Sequence, residues 1–461
     1  MGSIGEVEPD YDVLVIGAGL SGCYACHRMH QLNLKVKVLE AGTSVGGTWY
    51  WNRYPGARFD SESYTYAFYF SPELLNEWKW TEHYAPQPET ERYIRFLCDK
   101  LALWDDMQFN TSITKAYWIE QDRLWKLTDA SGRTTPNWAI PLRNSKISPE
   151  EMEQIRTGYP QMLEKINQTR MGFMHSASTD SIWDSTPEMR EAFWEELWAL
   201  PGFPFWLSNY KEILIDEKAN DLVTEFVARK IKERVHDPWT ADKLVPKNHG
   251  FGTRRVPMET YYFEAYNRPN VRLVDLLETP IQRVTADGLQ TTQEDFNFDM
   301  LIYATGFDAV TGAFDAIDFR GTHHISLRDE WKDGSKTYLG LTVEHFPNMF
   351  MSMGPHQAYG NIPRSIEFAV GWIAECIGYC QDRGISYIEA TELGVQEWTD
   401  HVHDLGKNLL SNKVDSWMTG VNKNVAGKQK RIVARYMGAA PEFRAKCNEV
   451  AGAEYELFTK R

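Results

Sequence analysis

The residues Gly46 to Asp60 hold the densest group of chemically capable side chains in this 461-residue chain. The run reads Gly46-Gly47-Thr48-Trp49-Tyr50-Trp51-Asn52-Arg53-Tyr54-Pro55-Gly56-Ala57-Arg58-Phe59-Asp60. The glycine pair and Pro55-Gly56 set turns at its two ends. No helical or strand period links them. Trp49, Tyr50, Trp51 and Tyr54 offer planes to stack on, Arg53 and Arg58 offer cations, and Asp60 closes the run with a carboxylate. A flat, partly polar ligand needs such a lining: apolar walls with a few fixed polar groups.

The elements before this run show how such a ligand would be held. Tyr11 to Ile16 is an apolar strand, followed by Gly17-x-Gly19-x-x-Gly22, a helical run, and Val36-Lys37-Val38-Leu39 ending at Glu40. A lone G-x-G-x-x-G is a weak signal. After a strand, at the start of a helix, and before a second strand ending in an acid, it reads as a dinucleotide-binding unit. Gly17 makes the tight turn, Gly19 lets a pyrophosphate approach the backbone, and Gly22 lets helix and strand pack closely. The helix N-terminus faces the phosphates. Glu40 is placed to accept ribose hydroxyls, which disfavours a 2′-phosphate at this site.

Together these stretches resemble the Baeyer-Villiger monooxygenases, class B flavoproteins that insert oxygen next to a ketone. The family's pattern of Gly-Gly-x-Trp, four residues, Tyr-Pro-Gly, three residues and Asp runs here from Gly46 to Asp60 without a departure. The resemblance implies an α/β fold. It has a three-layer Rossmann-type FAD-binding domain, a helical insert and a second nucleotide-binding domain that is truncated here. It also implies FAD as cofactor, held by Gly17, Gly19, Gly22, Glu40, Gly47, Thr48, Trp49, Asp60, Tyr66, Asn361 and Ile362. The flavin of such an enzyme adds O2 and holds a peroxide anion beside the substrate carbonyl, which calls for a fixed cation in a dry site. Thr253-Arg254-Arg255 matches the family's Thr-Lys-Arg segment, with Arg255 on the catalytic arginine and Asp60 on the carboxylate that positions it. Arg254 falls on a contact to the 2′-phosphate of NADPH, and Trp417 on a mobile-loop aromatic. His356, in Gly354-Pro355-His356, belongs to a segment that in the resembled family lines the flavin ring, and a packing or hydrogen-bonding role is expected for it, with a catalytic base as the alternative.

One departure is large. After Ser131-Gly132-Arg133 the family continues with an Ala-Thr-Gly strand, its long fingerprint and a second G-x-G-x-x-G. This chain passes straight to Thr134-Thr135-Pro136-Asn137-Trp138. A dinucleotide unit needs about 30 residues and its own glycine turn, so tight NADPH binding is not expected. The expected organisation is residues 1–135, first half of the FAD domain; 136–252, a helical insert; 253–306, the remnant of the NADPH domain; and 307–461, the second FAD half. Expected helix starts are Ser148-Pro149, Thr186-Pro187 and Asn220, and a long helix is expected over Ser365 to Arg383. Met107 to Asn110, Lys115 to Trp118 and Leu124 to Leu127 read as a β-meander. Asn270 to Asp275 reads as a strand, and 281–284 with 289–292 as a hairpin around Asp287-Gly288. Asp299 to Gly306 is expected to be a buried strand that repairs the flavin sheet and brings Gly306 and Asp308 towards FAD.

Composition excludes several classes. The chain is 43% hydrophobic and 25% charged, an ordinary globular balance, and its net charge of −15 argues against nucleic acid as a partner. No apolar run approaches a membrane span and the N-terminus lacks a signal-peptide core, so a cytoplasmic protein is expected. Six scattered cysteines imply no disulfide framework. Cys23-Tyr24-Ala25-Cys26-His27 matches the haem-attachment pattern, but it lies in the helix opened by the glycine turn and reads as core. No metal site is expected. The expected partners are a ketone and O2, with the flavin reduced by weakly bound NADPH, by an external reductant or by light. The same pocket also suits an NADPH-independent flavoenzyme (an oxidase, a peroxide-driven or a redox-neutral catalyst) or a non-catalytic, domain-deleted flavoprotein.

Overall fold

The structure is a computed structural model that describes residues 10–119, 124–126, 137–302, 308–422, 425 and 428–461. The chain divides into two compact units. One is Met1–Gly132 with Asn144–Ser176 and Asp308–Arg461; the other is Arg133–Arg143 with Ala177–Phe307.

The first unit starts as the sequence requires. Strand β1 (Val13–Ile16), helix α1 (Leu20–Gln31) and strand β2 (Val36–Leu39) form a β-α-β unit with its two strands paired in parallel. Met107–Gln108, expected in the meander, instead extends this sheet as β3, parallel to β2, in the order β1-β2-β3. It is too short for alternation to tell a meander strand from a buried parallel one. The other two expected strands do pair: Lys115–Ile119 lies antiparallel to Leu124–Lys126 and parallel to Asp318–Arg320. Helix α1 packs on the long helix Ile362–Asp382, and Tyr24, Val38, Ile94, Ile366 and Val370 share one buried core.

Among the described residues β1 is an edge of its sheet, with Leu14 and Ile16 more than 40% exposed. Among the described residues no further strand pairs with β1. Asp299–Ile302 belong to no strand, and Met300 and Ile302 are 75% and 78% exposed. The rest of that run, Tyr303–Gly306, lies outside the described residues. An apolar run becomes a strand only where a neighbouring edge accepts its backbone groups. Asp308 accepts from Lys428 Nζ and from Asn422 Nδ2 at 3.2 Å.

The second unit is largely helical, around a core of aromatic side chains. Trp194, Trp198, Phe205 and Phe226 meet with ring centroids 5.1–6.0 Å apart. Ile140–Pro141 pairs in parallel with Met258–Glu259, and Ile281–Val284 forms the expected hairpin with Gly288–Thr291, extended by Asp295–Asn297. Asn270–Asp275 is not a strand.

Two helix starts follow the caps read from sequence. Ser148 and Thr186 accept from the N–H groups of Glu151 and Met189, each with proline at the first turn. Asn220 does not cap. Asp216 caps the helix Glu217–Arg234, and Asn220 is buried inside it, donating to the carbonyls of Ile213 and Phe251. Both residue types cap well, and only packing chose between them. No helix among the described residues is long and apolar enough to cross a membrane. All six cysteines are free and buried.

Candidate active site

The glycines of the two sequence motifs meet. Gly17 has φ +95°, outside the range most side chains adopt, and its N–H donates to Leu39 at 2.8 Å. A Cβ on Gly22 would lie 1.9 Å from the Gly17 carbonyl oxygen, so helix and strand approach as closely as backbones can. Gly47, at φ +52°, lies against Gly19: a Cβ on Gly47 would come within 2.9 Å of the Gly19 Cα. The Gly46 N–H donates to the Ala18 carbonyl at 3.0 Å. The phosphate turn and the start of the Gly46–Asp60 run therefore form one glycine-lined cradle at the N-terminus of α1. Its shape fits a pyrophosphate, which needs N–H groups and no Cβ atoms in its way.

Glu40 completes this cradle. It is 4% exposed, at the end of β2. Its carboxylate accepts from the N–H of Ala18 and from that of Gly42, both at 2.7 Å. Each oxygen keeps a further lone pair for a sugar hydroxyl. The residue therefore ties the glycine turn to the loop after β2.

An aromatic corner follows. Thr48–Trp51 is a single helical turn that buries Trp49 and leaves Trp51 and Tyr54 exposed. Trp49 donates from Nε1 to the Tyr66 hydroxyl at 3.1 Å, and Tyr66 stacks on Phe59 with centroids 4.4 Å apart. Burial pushes the Tyr66 phenol up to about 12, with the nearby Asp60 charge adding to the effect. Tyr66 is thus a neutral hydroxyl. Asp60, partly exposed, lies within electrostatic reach of Tyr66 and Tyr84. Gln87, which nothing in the sequence singled out, donates to the Trp49 carbonyl and at 2.8 Å to Glu91. A buried glutamine on an amphipathic helix carries no local signal of such a role. Arg53 and Arg58 turn to Glu91 and Glu82, at 3.0 and 2.9 Å.

Asn361 caps the helix that starts at Ile362. Its Oδ1 accepts from the Arg364 N–H at 3.2 Å and its Nδ2 donates to the Thr65 carbonyl at 2.7 Å, one residue from Tyr66. His356 is fully buried. Its ring nitrogens face the Thr337 hydroxyl at 3.1 Å and the Val433 carbonyl at 2.9 Å, and burial lowers its pKa to about 4. It is a neutral packing residue, as expected. Trp417 opens a short 3-10 turn, Trp417–Thr419, and is half-buried. A cavity of about 630 Å³, lined by Tyr24, Arg364, Glu367, Arg444 and others, includes none of the cradle glycines.

Arg254 and Arg255 belong to the second unit, and Asp60 to the first. The Arg255 guanidinium lies over Trp206 and Phe203, 4.9 and 5.2 Å from the ring centroids. Its Nη1 donates to the Val256 carbonyl, and its own carbonyl accepts from Asn137. Aromatic faces hold a guanidinium flat while leaving N–H groups along its edge. Neither ring was legible as a partner from sequence, because both lie about 50 positions before Arg255. Beside them His249 is lowered to about 4, first by burial and then by the Arg254 charge.

Comparison with known proteins extends these observations. The NAD(P)-binding Rossmann-like domain family matches residues 15–76, the β1-α1-β2 unit and the aromatic corner. The 2-oxo-Delta(3)-4,5,5-trimethylcyclopentenylacetyl-CoA monooxygenase of Pseudomonas putida is 35% identical over 98% of this chain and 98% of its own length. Cyclopentanone 1,2-monooxygenase of a Comamonas species is 31% identical over 100% of this chain and 98% of its own. A crystal structure of OTEMO in complex with FAD and NADP superposes with a TM-score of 0.92 at 35% identity, covering 99% of this chain and 100% of that one. A Rhodococcus cyclohexanone monooxygenase bound to NADP+ gives 0.93 at 30% identity, covering 98% and 99%. The fold and the glycine cradle define a dinucleotide-binding oxidoreductase of the α/β class. The chain belongs to the Baeyer-Villiger monooxygenase family. It also differs from its relatives in length. The alignment with the Pseudomonas relative runs over 536 positions and uses 98% of 461 residues, about 452, so roughly 84 positions carry residues in the relative and none here.

Proposed function

We propose that this chain binds FAD and oxygenates a ketone to an ester or lactone. The meeting of Gly19 with Gly47 carries the reading, because it joins the dinucleotide turn to the family's Gly-Gly-x-Trp segment in one cradle. Gly17, Gly19, Gly22, Gly47 and Thr48 would face the pyrophosphate, Glu40 the ribose, and Trp49, Asp60, Tyr66, Asn361 and Ile362 the ring end. Bound FAD supplies the two-electron activation of O2. Arg255 contributes a cation that stays charged when water is excluded, and its aromatic bed holds it in place. Asp60 contributes a carboxylate, and Tyr66 a neutral hydroxyl beside it.

NADPH is held weakly in this proposal, with Arg254 and Trp417 as remaining contacts, and an external donor reduces the flavin. The absence of a second glycine turn from the sequence and the roughly 84 unmatched positions support this. The domain assignment is 1–135 and 307–461 for FAD, 136–252 for the insert and 253–306 for the shortened NADPH module. Six free thiols suit the reducing cytoplasm. The test mixes FAD-loaded protein with a cyclic ketone and O2 after anaerobic reduction by dithionite or by micromolar NADPH. Ester from the dithionite arm, with little from the NADPH arm, is expected. No ester from either arm refutes oxygenation, and equal ester from both refutes weak NADPH binding.

A further inference from the structure

The pattern Cys23-x-x-Cys26-His27 sits in α1, but the residues gathered around Cys26 are different ones. His30, one turn further along α1, places Nε2 3.9 Å from the Cys26 sulfur and 2.8 Å from Oδ2 of Asp106. Asp106 comes from the short turn Trp104–Asp106 that leads into β3. One donor atom from each residue lies within 4.8 Å of the other two. Cys26 is fully buried and forms the floor, while the His30 and Asp106 side chains are about one-third exposed and form the rim.

This is not the geometry of an activated cysteine. A nucleophilic relay uses the two ring nitrogens of histidine separately, one for the thiol and one for the acid. Here a single nitrogen faces both. The thiol is also buried, and desolvation, with the nearby Asp106 and Cys98 charges, raises it to about 12 against the weaker pull of Lys37. Three donors of sulfur, nitrogen and oxygen type converging on one point match the ligand set of a borderline-soft cation. Bond lengths of about 2.0–2.3 Å around a tetrahedral ion separate its ligand atoms by roughly 3.3–3.7 Å. The observed spacings bracket that range, so small side-chain rotations admit an ion.

We propose that Cys26, His30 and Asp106 form an accessory site for a zinc-type divalent ion, with its fourth position open to water. Binding forms the Zn–S bond as the Cys26 S–H breaks and releases one proton. Thiolate and carboxylate then balance the charge of the ion, with His30 neutral. The ion ties the C-terminal half of α1 to the segment entering β3, so it braces the sheet that carries the glycine turn.

The experiment is equilibrium dialysis of tag-free, flavin-loaded protein against Zn2+, with Co2+ as a spectroscopic probe. The parent is expected to retain one Zn2+ per chain at micromolar free metal. Its Co2+ form should show d–d absorption to the red of the flavin bands. Cys26→Ser and His30→Gln should each weaken retention about 100-fold or more, beyond the 10- to 100-fold cost of losing an outer hydrogen-bond partner. Both should keep the parent's flavin content, and the rise in melting midpoint that zinc gives the parent should be absent from each variant when measured against its own zinc-free midpoint. Cys98→Ser tests the neighbouring thiol pair, since Cys23 and Cys98 lie 3.6 Å apart; it should leave Zn2+ retention unchanged. No stoichiometric ion on the parent, an ion surviving both Cys26→Ser and His30→Gln, or one lost only with Cys98→Ser overturns the proposal.

Discussion

Replacing Glu40 tests the cradle directly, because this residue is both a cofactor-facing acid and a structural anchor. Its carboxylate accepts two backbone N–H groups at 2.7 Å, from Ala18, which is wholly buried, and from Gly42. A hydrogen bond to a charged acceptor contributes about 1.5–3 kcal/mol, and a buried donor left without an acceptor costs about 1–3 kcal/mol. Glu40→Ala removes both bonds, so a loss of about 3–5 kcal/mol is expected. Glu40→Gln has nearly the same shape but only one acceptor oxygen, so its NH2 must face one of the two N–H groups. We expect it to cost about 2–3 kcal/mol and to lose FAD on dialysis. The assay is urea unfolding followed by tryptophan fluorescence, with flavin content measured before and after dialysis. If Glu40→Gln keeps parental stability and full flavin, the carboxylate neither anchors the turn nor holds the ribose. If stability falls while flavin retention is unchanged, only the anchoring role survives.

Four other outcomes follow from the same geometry. Gly22→Ala and Gly47→Ala should abolish flavin retention, since their Cβ atoms would meet backbone at 1.9 and 2.9 Å, whereas Gly17→Ala meets no atom within 4 Å and should cost only about 1–2 kcal/mol of backbone strain; equal retention by all three would contradict the cradle. Arg255→Ala should keep its flavin and lose ketone oxygenation by about 10²-fold or more, and Arg255→Lys should restore little because an ammonium cannot lie flat on Trp206 and Phe203; parental turnover in Arg255→Ala would refute the assignment. His356, lowered to about 4 by burial, favours the folded state fully above pH ~6.5; about 3 kcal/mol of that is lost as pH falls from 6.5 towards 4, because the unfolded histidine takes up a proton the folded one refuses. His356→Gln should flatten this part of the stability profile, and an unchanged slope between pH 7 and 5 would count against it. Calorimetry with NADPH should show no micromolar, stoichiometric binding.

Much of the site was legible in the sequence because its signals are local. Gly17, Gly19 and Gly22 are set by steric limits and by spacings of a few residues, and strand-turn-helix context with Glu40 closing the second strand marks the dinucleotide unit, whereas the meeting of Gly47 with Gly19, 28 positions apart, came from the fold. The caps at Ser148 and Thr186 are local for the same reason: their partners lie three residues away. The family resemblance, too, rests on a contiguous run. Tertiary structure decided what depends on partners far along the chain. It placed Met107–Gln108 beside β2, brought Gln87 to Trp49, and laid Arg255 on Phe203 and Trp206. It left Asp299–Ile302 outside every strand, because an apolar pattern states what a segment could bury and not which edge will accept its backbone. It also gathered Cys26, His30 and Asp106, of which only the first two share a helix face that spacing can predict; the third arrives through the register of α1 against the turn entering β3.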